Sequence, residues 1–198
     1  MSLLQSLSIY FKPSRLPQRF SGVGTVLMSD IIGMSAVSEG MDSDQLAQML
    51  NESASSIQRY IMANKGHVLH FSGDAVLAYW EPLHTAPSHA ELAFNCAKQI
   101  LSEISSRSLK SENSLGIRIA LGTGQMTGDL IGGRFQIIGL AYTTAERLIG
   151  FKSPPISSML CTAETLAHIP GAIIPPTPRS KFTRTTGEEV EVFEFSAS

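Results

Sequence analysis

Apolar and polar positions along the chain change period several times, and each change marks an element. Gly24 to Asp30 (GTVLMSD) is a short apolar run ending in a carboxylate, which predicts a buried strand. Ser43 is a suitable N-cap, and Leu46, Met49, Leu50, Ile57, Tyr60 and Ile61 then recur at helical spacing. They predict an amphipathic helix of about twenty residues, ended by Gly66. His67 to Phe71 and Ala75 to Trp80 read as strands, with Ser72-Gly73-Asp74 as the hairpin turn between them. A second helix runs from about Ser88 to Ser105 with Ala93, Cys96, Ala97, Ile100, Leu101 and Ile104 as its buried stripe. Residues 106–115 are polar and loop-like. Gly116 to Gly124 is a strand, and a glycine-rich stretch leads to a further apolar segment, Phe135–Gly139. A short helix over about 141–150 follows, broken by Pro154-Pro155, and Ser157–Cys161 reads as a strand. After a Pro-rich segment, 170–178, Lys181 to Phe195 reads as a terminal hairpin around Gly187. This order predicts an α+β protein: a ferredoxin-like βαββαβ sandwich core with extra C-terminal strands, the two long helices on one sheet face. Residues 1–22 form a lead-in arm and 23–198 the domain.

Composition narrows the class. With 198 residues, 43% hydrophobic and 16% charged, the chain has enough apolar residues for one sizeable core. Folding at this length buries about 70% of the unfolded surface, so no disulfide or metal staple is needed. A net charge of −2 without a basic stripe argues against a nucleic-acid partner. Cys96 and Cys161 are too few for a disulfide framework and fall among apolar residues, as reduced thiols do. No apolar run reaches the ~20 residues a membrane span needs. Met1 to Phe11 is apolar but lacks a basic n-region and a cleavage pattern, and reads as an arm packing on the domain. A soluble, cytoplasmic, single-domain protein is expected.

Two carboxylates stand at informative places, Asp30 at the end of the first strand and Asp74 in the hairpin between the second and third. In a βαββαβ sheet those strands can be neighbours, which would bring both carboxylates to one sheet end. Two such charges at ~4 Å repel by about 4 kcal/mol at an effective dielectric of 20, so the pair calls for a cation. Oxygen-only ligation with open positions suits Mg²⁺ bridging to phosphates. Spacing alone leaves a second reading open, with Asp30 a helix cap and Asp74 a turn residue. Ile31-Ile32-Gly33-Met34-Ser35 follows Asp30, and a glycine in a tight strand-to-helix connection exposes N–H groups that can hold phosphate.

These residues converge on a family. Val26-Leu27-Met28-Ser29-Asp30-Ile31-Ile32-Gly33-Met34-Ser35 resembles the Phe-x-Asp-Ile-x-Gly-Phe-Thr opening of class III nucleotidyl cyclase domains. His70-Phe71-Ser72-Gly73-Asp74-Ala75 is similar to their Lys-x-x-Gly-Asp-Ala hairpin, and Gly139 to Leu148 (GLAYTTAERL) to their Gly-x-x-Val-Asn-x-Ala-x-Arg-Leu helix. The resemblance covers about residues 24–195 in the right order, and looks most like the first cyclase domain of bicarbonate-responsive soluble adenylyl cyclases. It implies a lyase that converts ATP to 3′,5′-cyclic AMP and pyrophosphate at a dimer interface. By that resemblance Asp30, Asp74 and the Ile31 carbonyl hold two Mg²⁺ (or Mn²⁺) ions. The N–H groups of Ile32, Gly33, Met34 and Ser35 cradle phosphates. A partner domain, either a second copy or a separate cyclase domain, supplies the groups that stabilise the transition state.

Departures from the family pattern complicate this. The base-reading Lys falls at His70 and its partner Asp at Gln136, so neither purine is selected; a Gln amide can pair with either base by flipping. The family Asn falls at Thr143, which lacks the amide, while Arg147 matches the family Arg. A homodimer relying on Thr143 should be slow, because one such donor is worth about 10²–10³ in rate. In the soluble cyclases the Arg at this helix position ligates bicarbonate in a non-catalytic pseudo-site. The second reading is therefore a degenerate regulatory module that binds nucleotide or bicarbonate. The simple alternative for Arg147 is a surface arginine paired with a carboxylate. His67 and His70, three apart in a strand, should point to opposite faces, which argues against zinc.

Overall fold

A computed structural model describes residues 18–82, 86–108, 115–151, 157–172 and 178–196. The arm up to residue 17, the Pro154-Pro155 break, most of the 106–115 loop and most of the 170–178 segment lie outside the described residues. The elements, in order, are β1 (Phe20–Ile32), α1 (Met34–Gly40), α2 (Ser43–Ala63), β2 (His67–Ser72) and β3 (Ala75–Trp80). They continue with α3 (His89–Ser108), β4 (Gly116–Ile131), β5 (Arg134–Gly139), α4 (Leu140–Ile149), β6 (Ser158–Thr162), α5 (Ala163–Ala167), β7 (Ser180–Thr183) and β8 (Glu189–Ser196). The strands form one eight-stranded sheet in the order β2-β3-β1-β4-β6-β8-β7, with β5 paired to β4. The first four are the ferredoxin-like core, and β6, β8 and β7 are the C-terminal extension.

The sheet has two different faces. Leu27, Ile117, Ile119 and Leu121 join Ile57 and Ile61 of α2 and Cys96, Ile100 and Leu101 of α3 in the main core. Alternate residues of the same strands face the other way. There Val26, Leu77, Tyr79 and Met126 pack with Ala141 and Ala145 of α4, and Ala120 and Leu160 with Leu148 and Phe182. Both cysteines are buried, and burial pushes each thiol up to about 12, so they behave as inert small hydrophobes. Among the described residues no helix is long and apolar enough to cross a membrane.

Three local expectations change. The α2 N-cap is Asp42, whose carboxylate accepts from the N–H of Asp44 and Gln45 at 3.0 and 2.9 Å, with Gln45 closing a capping box. That leaves Ser43 as the first helical residue. At the other end Lys65 takes the positive φ of 60°, while the Gly66 N–H returns to the Ile61 carbonyl at 2.8 Å. Gly66 is needed there because a Cβ would sit 2.5 Å from the Trp80 ring, whose Nε1–H donates to the Asn64 carbonyl at 2.8 Å. β1 is also longer than its apolar run, because β4 pairs with it from Phe20↔Gly128 to Ile32↔Gly116.

Candidate functional site

β1 and β3 are antiparallel neighbours, with Ser29 opposite Val76 as the last paired residues. One step on lies Asp30, and two residues before Val76 lies Asp74, so the register delivers both carboxylates to one end of the sheet. Both are half-buried. Burial first, and then the Asp74 charge, hold the Asp30 carboxyl above its ordinary value, and Arg118 pulls it back down. Arg118 faces Asp30 directly across the β1–β4 pair. One of its terminal N–H groups donates to the Ile149 carbonyl at the end of α4 at 3.3 Å, while its buried Nε has no hydrogen-bond partner among the described residues. Sequence reasoning did not single out Arg118, though a lone charge in the apolar run Gly116-Ile-Arg-Ile-Ala-Leu was the available signal.

Alternation along β1 sends Asp30 toward the face carrying α4. The Ile31 side chain points the other way and lines a cavity of about 230 Å³ between α2 and α3. Gly33 follows with φ 92°, turning the chain into α1, whose first N–H groups lie at the carboxylate end of the sheet. Among the described residues no three His, Cys, Asp or Glu side chains gather into a metal cluster. The donors that do converge are two mutually repelling carboxylates. This all-oxygen, charge-rich and incomplete set fits a hard divalent cation that keeps water and phosphate ligands.

The remaining candidates are dispersed. His70 is exposed on the edge strand β2, and Gln136 is exposed on β5, with β3, β1 and β4 between them in the sheet. The Gln136 amide donates to the Ile131 carbonyl at 3.2 Å. A register shift between Val68 and His70 overturns the expectation that His67 and His70 face opposite ways. The bulge inserts one residue, so His67 pairs with Tyr79 and His70 with Leu77, both members of the α4-face core. His67 stacks on Tyr79 with ring centroids 5.1 Å apart.

α4 is pressed onto β4. A Cβ on Gly122 would lie 2.2 Å from the Ala141 carbonyl and 2.5 Å from the Ala145 nitrogen. Thr143 and Arg147 stand one turn apart on its exposed side. The Thr143 hydroxyl lies 3.4 and 3.3 Å from the carbonyls of Gly139 and Leu140, turned back onto its own helix. Arg147 has no carboxylate partner among the described residues. Its guanidinium lies 4.4 Å from the centre of the Phe182 ring, and Nη1–H donates to the Thr183 carbonyl at 3.0 Å.

A sheet of this order, with paired carboxylates ending β1 and the β2–β3 hairpin, defines a nucleotide-cyclase type of domain, and comparison with known proteins agrees. Residues 17–150 match the family model described as "Adenylate and Guanylate cyclase catalytic domain". The chain belongs to that family. It is similar to adenylate cyclase 1 of Rhizobium meliloti (strain 1021), 24% identical in an alignment of length 153 that covers 73% of this chain and 23% of that protein. It is also similar to adenylate cyclase type 10 of Rattus norvegicus, 26% identical in an alignment of length 153 that covers 70% of this chain and 10% of that protein. The chain thus spans under a quarter of the length of these relatives. The crystal structure of the adenylyl cyclase CyaB from P. aeruginosa shares the fold with a TM-score of 0.78 at 21% identity, over 92% of this chain and 97% of that one.

Proposed function

We propose that this domain is an adenylate cyclase catalytic half, converting ATP to 3′,5′-cyclic AMP and pyrophosphate across an interface with a second cyclase domain. The observation that carries the reading is the half-buried Asp30–Asp74 pair, in which burial first, and then the Asp74 charge, hold Asp30 above its usual carboxylate range. Both curated relatives are named adenylate cyclases, which favours ATP over GTP. Asp30, Asp74 and the Ile31 carbonyl would hold two Mg²⁺ or Mn²⁺ ions. When bound, these would supply the charge that makes the ribose 3′-hydroxyl a nucleophile and neutralises the triphosphate. Arg118, beside Asp30 with an unpartnered Nε, and the N–H groups of Ile32, Gly33, Met34 and Ser35 would receive phosphate oxygens. His70 and Gln136 of the opposing domain would hydrogen-bond the purine, and its Thr143 and Arg147 would face the transition state.

The sheet face that carries α4 suits such a partner. Next to the aromatic cluster of Phe20, Tyr79 and Phe135, the β4–β5 hairpin exposes Leu130, Ile131 and Ile138 at 57%, 40% and 47%. A second reading, a regulatory module that binds nucleotide or bicarbonate without turnover, draws on Thr143 and Arg147, both hydrogen-bonded within their own chain. The deciding assay is cyclic AMP and cyclic GMP formation with Mn²⁺ and ATP or GTP, with and without bicarbonate. Cyclic AMP that disappears in Asp74→Asn is the expected result. Mn²⁺-dependent nucleotide binding without product marks a half-site needing another domain, and binding that ignores both metal and Asp74→Asn overturns the catalytic reading.

A further inference from the structure

We infer that Phe182 and the Thr183 carbonyl form a holder that fixes the Arg147 guanidinium for an anion, which makes the C-terminal hairpin a positioning element. The inference rests on the reading of α4 as the side presented to a partner's nucleotide. An exposed arginine ordinarily samples many rotamers and loses that freedom on binding. Here two rigid elements meet at its head group. α4 is fixed to β4 by the Gly122 contact, and Leu148 is buried in the same cluster as Phe182. Phe182 is itself buried, paired with Val190 across the β7–β8 hairpin and against the Phe151 ring, 6.2 Å between centroids. The hairpin is tied down by Arg179–Glu194 at 2.6 Å and by Arg184 to Glu164 of α5 at 3.0 Å.

The chemistry of the holder is selective. A ring face attracts a cation without neutralising it, and one carbonyl occupies one of five guanidinium N–H donors. A carboxylate in the same place would cancel the charge and compete with phosphate or bicarbonate. Arg147 is therefore oriented yet still fully charged, with donors to spare. Preorganisation of this kind increases affinity for an anion by reducing what must be ordered on binding, and in the cyclase reading it acts when charge develops in the transition state.

The test compares Phe182→Leu, which keeps an apolar side chain in the cluster, with Phe182→Tyr, which keeps the ring, in the full chain with Mn²⁺ and ATP. Phe182→Leu should lower kcat about fivefold to tenfold with KM within twofold, and Phe182→Tyr should restore it. In an Arg147→Ala background Phe182→Leu should cost nothing further. Equal losses in both backgrounds, or a rise in kcat on Phe182→Leu, overturn the holder. The NMR signal of the Arg147 Nε–H reads the same point without turnover. It should be ring-shifted and rigid in the wild type and lose both properties in Phe182→Leu. A wild-type signal as mobile as that of exposed Arg134 overturns the holder even in an active enzyme. An inactive chain that keeps the shifted, rigid signal overturns only the catalytic reading.

Discussion

Thr143 spends its single donor on its own helix, and in the proposed reading that would limit what a homodimer of this chain can do. Hydroxyls in helices often bond back to the carbonyl one turn earlier, and the 3.4 and 3.3 Å separations to Gly139 and Leu140 are of that kind. An asparagine amide reaches one bond further and carries two donors. A donor aimed at developing charge is worth about 10²–10³ in rate, whereas Thr and Asn have similar helix propensities. Thr143→Asn should therefore raise homodimer kcat by about 10²-fold with little change in KM or thermal midpoint, measured as cyclic AMP release. An unchanged kcat in a folded, dimeric variant removes α4 from the reacting centre. At this scale the sequence told which residues come together more readily than which way they point. Asp30 and Asp74 were legible because strand order and hairpin position place them together. The hydroxyl direction of Thr143 and the hold on Arg147 depend on rotamers and on a hairpin 35 residues downstream of Arg147, at Phe182. The shared face of His67 and His70 depends on a bulge, which leaves no periodic trace in one strand of six residues.

Elements became legible in proportion to their length. α2 and α3, with 21 and 20 residues, repeat their apolar stripe often enough to be read with their ends nearly right. α1 and α5, with seven and five residues, complete two turns at most and pass as connections. β1 and β4 run past their apolar cores because pairing with each other, rather than side-chain pattern, sustains them. In the proposed reading α4 carries the partner-side groups Thr143 and Arg147, and its seat is a single missing side chain. At Gly122 an added Cβ meets backbone on two sides, the Ala141 carbonyl and the Ala145 nitrogen, and the Ala145 Cβ at 3.1 Å. No rotamer change can relieve those contacts, so the helix must lift from the sheet and open the cluster of Val26, Met126, Ala141 and Ala145. Gly122→Ala should destabilise the domain by about 2–4 kcal/mol, read from the urea midpoint. It should also reduce cyclic AMP formation at temperatures where the domain remains folded, since Thr143 and Arg147 ride on the displaced helix. Gly73→Ala is the contrast: its Cβ would meet nothing within 4 Å, and only its φ of 62° opposes the change, at about 1 kcal/mol.

At the scale of the whole molecule, acid acts on two different places. A buried polar chain crosses the main core, with Thr25 of β1 hydrogen-bonded to Thr123 of β4 at 2.8 Å and to Nδ1 of His89, on α3, at 2.9 Å. The His89 ring faces His168, centroids 5.3 Å apart, and Ser88 closes the cluster on the His168 carbonyl at 2.6 Å. Burial, and then the neighbouring imidazole, lower His89 from 6.5 to about 4. Between those values the unfolded chain binds a proton that the folded chain refuses, so stability is whole above pH 6.5 and is lost progressively toward pH 4. The full window is worth about 3 kcal/mol, roughly half of it between pH 6.5 and 5, where the carboxylates have barely begun to titrate. In the proposed reading the carboxylate site would have an acid limb of its own, because Asp30 is held above the usual range and would have to lose its proton to serve a cation. The two limbs separate in His89→Asn. Its urea midpoint should be lower at pH 7 but nearly flat from pH 7 to 5, while the wild type falls across the same range. The acid side of the pH–rate profile, measured where both proteins remain folded, should coincide for the two. A wild-type midpoint that is flat over this range would mean that His89 is free to protonate within the fold. A shifted activity limb in His89→Asn would mean that the buried cluster and the carboxylate end of the sheet titrate as one system rather than two.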